Sequence, residues 1–331
     1  MTSTSVRLAA ALFYLGFAAA SSQTRTGSAA RPADANITFY SLKALDARTV
    51  FAVGKPGIIA HSTDGGKTWS IRTHPGQSGV DFYGVDFTDE KHGVIVGEKG
   101  TILRTADGGS TWSAAGSGTR ENLVSVRLDR SGRGWIAGFG GTILATPDGG
   151  TSWSPRKSGV FDNLWSVSSA DTGRCWVTGG GGTIIATADG GRGWTPQTSG
   201  VQSFLYSVRF IDGSTGWAAG GYGAILKTTN GGRTWDKQNL KPGLSVFQSK
   251  AFHYSVYPFD ARSCILTGTG GTVLRTTDGG ETWINGDSKT GAVLFSVDFA
   301  DKKTGWAAGS SGTIIKTTDG GRTWSLNRGA R

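Results

Sequence analysis

Residues 317–324 read TTDGGRTW, and six close relatives of that octet precede it in a chain of 331 residues. Their Asp or Asn positions are Asp64, Asp107, Asp148, Asp189, Asn230, Asp278 and Asp319. Each is followed five residues later by a tryptophan: Trp69, Trp112, Trp153, Trp194, Trp235, Trp283 and Trp324. Successive Asp/Asn positions lie 43, 41, 41, 41, 48 and 41 residues apart. A fixed period near 40 marks a repeat architecture, in which each unit buries its apolar face only by stacking on its neighbours. A catalytic centre is needed once per chain and a structural joint once per repeat. The octet is therefore a joint.

Three further landmarks recur in every unit. An alternating segment comes first, as in FYGVDF at 82–87 and LFSVDF at 294–299. A short apolar run ending in glycine follows, closing at Gly54, Gly97, Gly138, Gly179, Gly220, Gly268 and Gly309. After a turn of two or three residues comes a third segment such as GTILRTA, and the tryptophan of the octet opens a weaker fourth. Segments of four to seven residues, rich in β-branched and aromatic side chains and bounded by glycine, are strands. No stretch sustains a 3.6-residue period, so helices are expected to be nearly absent. Four antiparallel strands per unit make one blade, and seven units close an all-β, seven-bladed propeller. The octet then joins the third and fourth strands at each blade's outer edge. Its glycines supply positive φ, its Asp accepts backbone N–H groups, and its tryptophan is buried between strand layers. Asn230 fits the same role, because an amide oxygen accepts the same bonds.

The first residues carry Arg7, an apolar stretch over Leu8–Ala20 and small residues at Ala18–Ala20. This pattern predicts a secretory signal peptide over 1–20, with an uncleaved anchor as the alternative. A small, polar tether follows over 21–36, the propeller occupies 37–326 and a short tail covers 327–331. No cysteine follows the apolar stretch to take a lipid anchor. Loss of Arg7 lowers the formal charge from +10 to +9, a surplus that attracts acidic partners or serves solubility. Export argues against intracellular nucleic acid as the partner. Cys175 and Cys264 hold equivalent positions two blades apart, too distant for a disulfide, so both are expected as free buried thiols. The four histidines lack ligand spacing, and neither a metal nor a cofactor is expected.

The Asp-Gly-Gly-x-Thr-Trp units resemble the Asp-box, or BNR repeat, of sialidase-like propellers. The longer pattern LFSVDFADKKTGWAAGSSGTIIKTTDGGRTW at 294–324 resembles, more specifically, the photosystem II stability/assembly factor family, over roughly residues 37–326. That resemblance implies a non-enzymatic factor, exported to the periplasm or thylakoid lumen. It would bind membrane-protein subunits during assembly of a photosynthetic complex through a basic face.

In a propeller the blade-to-blade linkers and the turns between second and third strands share one face. Candidate contacts there are Arg72, Lys99, Arg120, Arg156, Lys157, Tyr222, Lys241, Phe247 and Lys250. The last three belong to the linker that carries the extra residues of the 48-residue interval. Arg127 and Arg209 hold equivalent innermost-strand positions and are expected in the central channel. The resulting expectation is a monomeric scaffold for membrane-protein subunits, with peripheral membrane contact open to it. The competing expectation is a carbohydrate-active or carbohydrate-binding propeller. Glycoside hydrolysis needs two facing carboxylates at a defined separation, yet six acids belong to the repeated turns and only four glutamates occur.

Overall fold

A computed structural model describes residues 36–74, 76, 79–171, 173–238, 240 and 251–327. Twenty-eight strands form seven four-stranded antiparallel sheets, each built from consecutive strands. The first blade contains β1 (Thr38–Ala44), β2 (Val50–Lys55), β3 (Ile58–Ser62) and β4 (Ser70–Thr73). The innermost strands of the next six are β5 (Phe82–Phe87), β9 (Leu123–Leu128), β13 (Leu164–Ser169), β17 (Leu205–Phe210), β21 (His253–Pro258) and β25 (Leu294–Phe299). The only helical elements among the described strands and turns are single 3-10 turns, such as Glu98–Gly100 between a blade's second and third strands. This is the seven-bladed ring that the period predicts.

The core lies between blades, not within them. One cluster joins Phe51, Val53 and Ile59 of the first blade to Phe82, Val85, Phe87, Ile95 and Leu103 of the second. Six equivalents follow, and the last sets Trp306, Ala308 and Ile314 of blade seven against Phe39, Leu42 and Val50 of blade one. Burying one sheet face on the next is what a twisted four-stranded sheet with two apolar faces requires.

Each octet builds the same turn. Asp64 Oδ1 accepts the Thr68 N–H at 2.9 Å, and its Oδ2 accepts the Thr68 hydroxyl at 2.6 Å. The Ser62 hydroxyl donates to Asp64 Oδ1 at 2.9 Å while accepting the Gly66 N–H at 2.8 Å. At Asp107 the hydrogen bonds from the Thr111 side chain and backbone lower the carboxyl to about 2. Asn230 keeps the geometry by accepting from Thr234 N–H and donating its own amide to the Thr234 hydroxyl at 2.9 Å. The second glycine is fixed by packing. A Cβ at Gly191, whose φ is +79, would lie 2.5 Å from the Trp135 ring of the preceding blade.

Both Cys175 and Cys264 are free and buried, and burial pushes both thiols well up. The ring closes without exchanging a strand between its ends. Blades one and seven meet through a bridge between Thr38 and Ser310, a Gly312 N–H bond to the Ile37 carbonyl at 2.9 Å, and side-chain bonds described below.

Candidate functional site

The innermost strands do not alternate strictly. In blade one the ladder slips between Phe39 and Ser41, and the other six blades slip at the equivalent place, in blade three between Leu123 and Ser125. Such a bulge turns two consecutive residues toward one side. Two tiers of side chains therefore line the mouth of the channel at the ends where these strands begin.

The upper tier is an aromatic collar of Tyr40, Tyr83, Trp165, Tyr206, Tyr254 and Phe295, interrupted by Val124. Ring centroids are 5.4 Å apart for Tyr40–Tyr83, 5.5 Å for Tyr40–Phe295, 4.9 Å for Tyr254–Phe295 and 5.0 Å for Tyr206–Tyr254. Phe139, Phe204, Phe252 and Tyr222 extend it outward over blades three to six, with Phe139 5.3 Å from Trp165 and Tyr222 5.1 Å from Phe252. The lower tier is a ring of serines interrupted at Gly84. Ser41 accepts the Val85 N–H at 3.3 Å, and Ser125, Ser166, Ser207, Ser255 and Ser296 repeat this bond to the following blade.

Below the serines, the next positions hold charges in five blades, with Ser168 and Tyr257 in the other two. Lys43 Nζ lies 2.9 Å from Asp86 and 3.9 Å from Asp298. Arg127 approaches Asp86 at 3.7 Å, and Arg209 pairs with Asp298 at 3.1 Å while lying 4.1 Å over the Tyr257 ring. Asp86 and Asp298 also accept the backbone N–H of Leu128 and Ala44 on the next blade. Burial opposes ionisation of Asp86, but Lys43 and Arg127 outweigh it and hold the carboxyl below its ordinary range. The like charge of Arg209, with burial, lowers Arg127. These charges rivet blades together as much as they line a channel.

The mouth presents aromatic surface, a few hydroxyls and a concave opening of about 170 Å³. Among the described residues, no group of three or more His, Cys, Asp or Glu is placed to hold a metal ion, and no helix is long and apolar enough to cross a membrane.

Residues 76–157, 116–195, 155–228 and 194–287 match the family model described as photosynthesis system II assembly factor YCF48. The chain belongs to that family. Residues 60–70 also match the BNR/Asp-box repeat. A structure of YCF48 bound to a D1 peptide is similar at a TM-score of 0.71 and 21% identity, covering 86% of this chain and 92% of that one. YCF48 from Cyanidioschyzon merolae is similar at 0.69 and 21%, covering 86% and 96%. A GH74 xyloglucanase from Xanthomonas campestris reaches 0.71 at 12% identity, covering 89% of this chain and 55% of that one. A comparison with curated protein sequences finds no match.

In this YCF48-family chain the residues expected to form a basic face fall in three places. Lys99 tips the Glu98–Gly100 turn with φ +55, and Arg120 is exposed in the linker before β9. Arg72, on β4, and Arg156 and Lys157, on β12 (Ser154–Lys157), lie on outermost strands, away from the mouth. Arg72 donates to the Ser110 carbonyl of the next blade at 3.5 Å. Together these cations follow an arc over blades one to three, interleaved with Asp81, Glu98, Glu121 and Asp162. Tyr222 stands apart on blade five, 72% exposed with φ +56. Lys241, Phe247 and Lys250 lie outside the described residues. Arg127 and Arg209 sit in the charged tier. A reading based on charge does not point to the collar. Its signal is nevertheless written in the sequence, as an aromatic residue before serine or glycine in FYSL, FYGV, LWSV, LYSV, HYSV and LFSV.

Proposed function

We propose that this chain is an exported, non-enzymatic scaffold that holds an extended segment of a membrane-protein subunit at the channel mouth during assembly of a membrane complex. The observation that carries this reading is the aromatic collar, contributed by six of the seven blades, in a family of photosynthesis system II assembly factors. Aromatic side chains anchor interfaces because they bury much area at little conformational cost. Lys99 and Arg120, on the same face as the mouth, would steer acidic subunit surfaces or headgroups toward it. A non-enzymatic role is favoured by the channel carboxylates. Asp86 and Asp298 are committed to backbone N–H groups and cations, whereas a glycosidase acid must be held protonated.

The test is affinity capture of the chain from detergent-solubilised membranes of its source across a salt series. Expected is recovery of membrane-complex subunits that weakens with salt and is lost on Tyr206→Ala with Arg120→Glu. The mature N-terminus is expected at Ser21. Recovery of glycans alone, with affinity for oligosaccharides, would overturn the scaffold in favour of a carbohydrate-binding propeller.

A further inference from the structure

We propose that the mouth beside blades one and two is a seat for a single basic side chain, arginine or lysine, of the bound segment. This rests on the mouth being a peptide site, and it adds the chemistry that selects the peptide. The seat is built around Glu98. Its carboxylate accepts the Tyr83 hydroxyl at 3.0 Å and the Asp81 N–H at 3.2 Å, so it is held in place. The Asp81 carboxyl lies close enough that burial and the Glu98 charge together raise it, against the opposing field of Lys55. Neither carboxylate makes an ion pair within 4 Å among the described residues. Tyr40 completes the wall, next to Tyr83 and Phe295, and its phenol is raised by burial and then by Asp81 and Glu98.

Two half-buried carboxylates against tyrosine rings create a negative potential that a cation would relieve. A guanidinium or ammonium meets aromatic walls as well as acceptors, which is the combination that favours cations over neutral groups. An anion would face like charge. An apolar group would strip water from both carboxylates without replacing their hydrogen bonds. A quaternary ammonium headgroup has no N–H to give to Asp81 and Glu98, so a peptide side chain is the better occupant. Tyr40 and Tyr83 of this wall also line the opening of about 170 Å³, whereas Asp81 and Glu98 do not; the link from that opening to the carboxylates is the Tyr83 hydroxyl that Glu98 accepts. On the far side of the mouth, Trp165 and Phe204 would carry the apolar residues flanking the basic one.

The experiment titrates the full chain with dye-labelled Phe-Arg-Phe, Phe-Lys-Phe and Phe-Gln-Phe peptides, capped at both ends, and follows anisotropy at low salt. Arg and Lys peptides are expected to bind at least tenfold more tightly than the Gln peptide. Glu98→Gln combined with Asp81→Asn should erase that preference while leaving the Gln peptide's affinity unchanged, with melting curves showing the fold intact. Equal affinity for all three peptides, or a basic preference that survives both amide substitutions, overturns the seat. If all three bind equally and Tyr206→Ala abolishes binding, the mouth remains a peptide site and only its selectivity falls. If none binds, both readings fall.

Discussion

His253 stands where the other six blades carry Phe39, Phe82, Leu123, Leu164, Leu205 and Leu294. Its ring is fully buried, and neither nitrogen has a hydrogen-bond partner among the described residues. An unsatisfied buried polar group costs about 1–3 kcal/mol, so His253→Leu is expected to stabilise the fold by that order in urea unfolding at neutral pH. Burial also lowers the imidazole to about 4. The unfolded chain takes up the proton near the ordinary histidine value of about 6.5, the folded chain only near 4. Stability is therefore complete above the ordinary value and is lost as pH falls through this window. Below it, both states are protonated and the loss levels off. The leucine variant should show a flatter dependence of melting temperature on pH between those limits. Tyr222 is a different kind of anomaly: an exposed aromatic at φ +56, a conformation that favours glycine. Strain kept at an exposed position points to use. Tyr222→Gly should leave stability equal or higher while weakening subunit capture.

At the scale of the element, the repeated turn and the bulged inner strand were unequally legible. Gly-Gly after Asp, with Trp at a fixed distance, states the turn chemistry outright, and Asn230 shows which of its atoms matter. The octet does not by itself mark the partner hydroxyl two residues upstream, Ser62 or Thr105 and their equivalents, which binds both the Asp and the second glycine. The inner strand hid more. Strict alternation assigns Tyr40 and Ser41 to opposite faces, whereas the slip in the ladder directs both to the mouth. A bulge has no composition of its own and is set by the pairing strand, so sequence period could not reveal it. That is why a reading by charge points to basic residues and not to the collar. The turn yields a sharp expectation. Gly191→Ala adds a methyl 2.5 Å from the Trp135 ring at a φ of +79. Overpacking and strain together should cost about 1–3 kcal/mol, read as a lower urea midpoint with an unchanged slope.

For the whole molecule, stability resides in seven interfaces of one kind, six covalently bridged and one not. The unbridged interface holds itself with the same apolar cluster, the same serine bond from Ser296 to Leu42 and the buried acceptor Asp298 beneath Ala44. Elsewhere, short linkers such as residues 116–122, 158–163 or 198–204 carry the chain from one blade's outer strand to the next blade's inner strand. The last described strand, Ser325–Leu326, and the first, Thr38–Ala44, stand in that same relation across the seam. Where the polypeptide starts is thus an accident of connectivity, not of architecture. Joining the propeller's ends with a seven-residue glycine-serine linker, and opening the ring in residues 198–204, should give a circular permutant with the same fold. Its unfolding midpoint is expected close to that of the parent, because no sheet is interrupted and no interblade contact is removed.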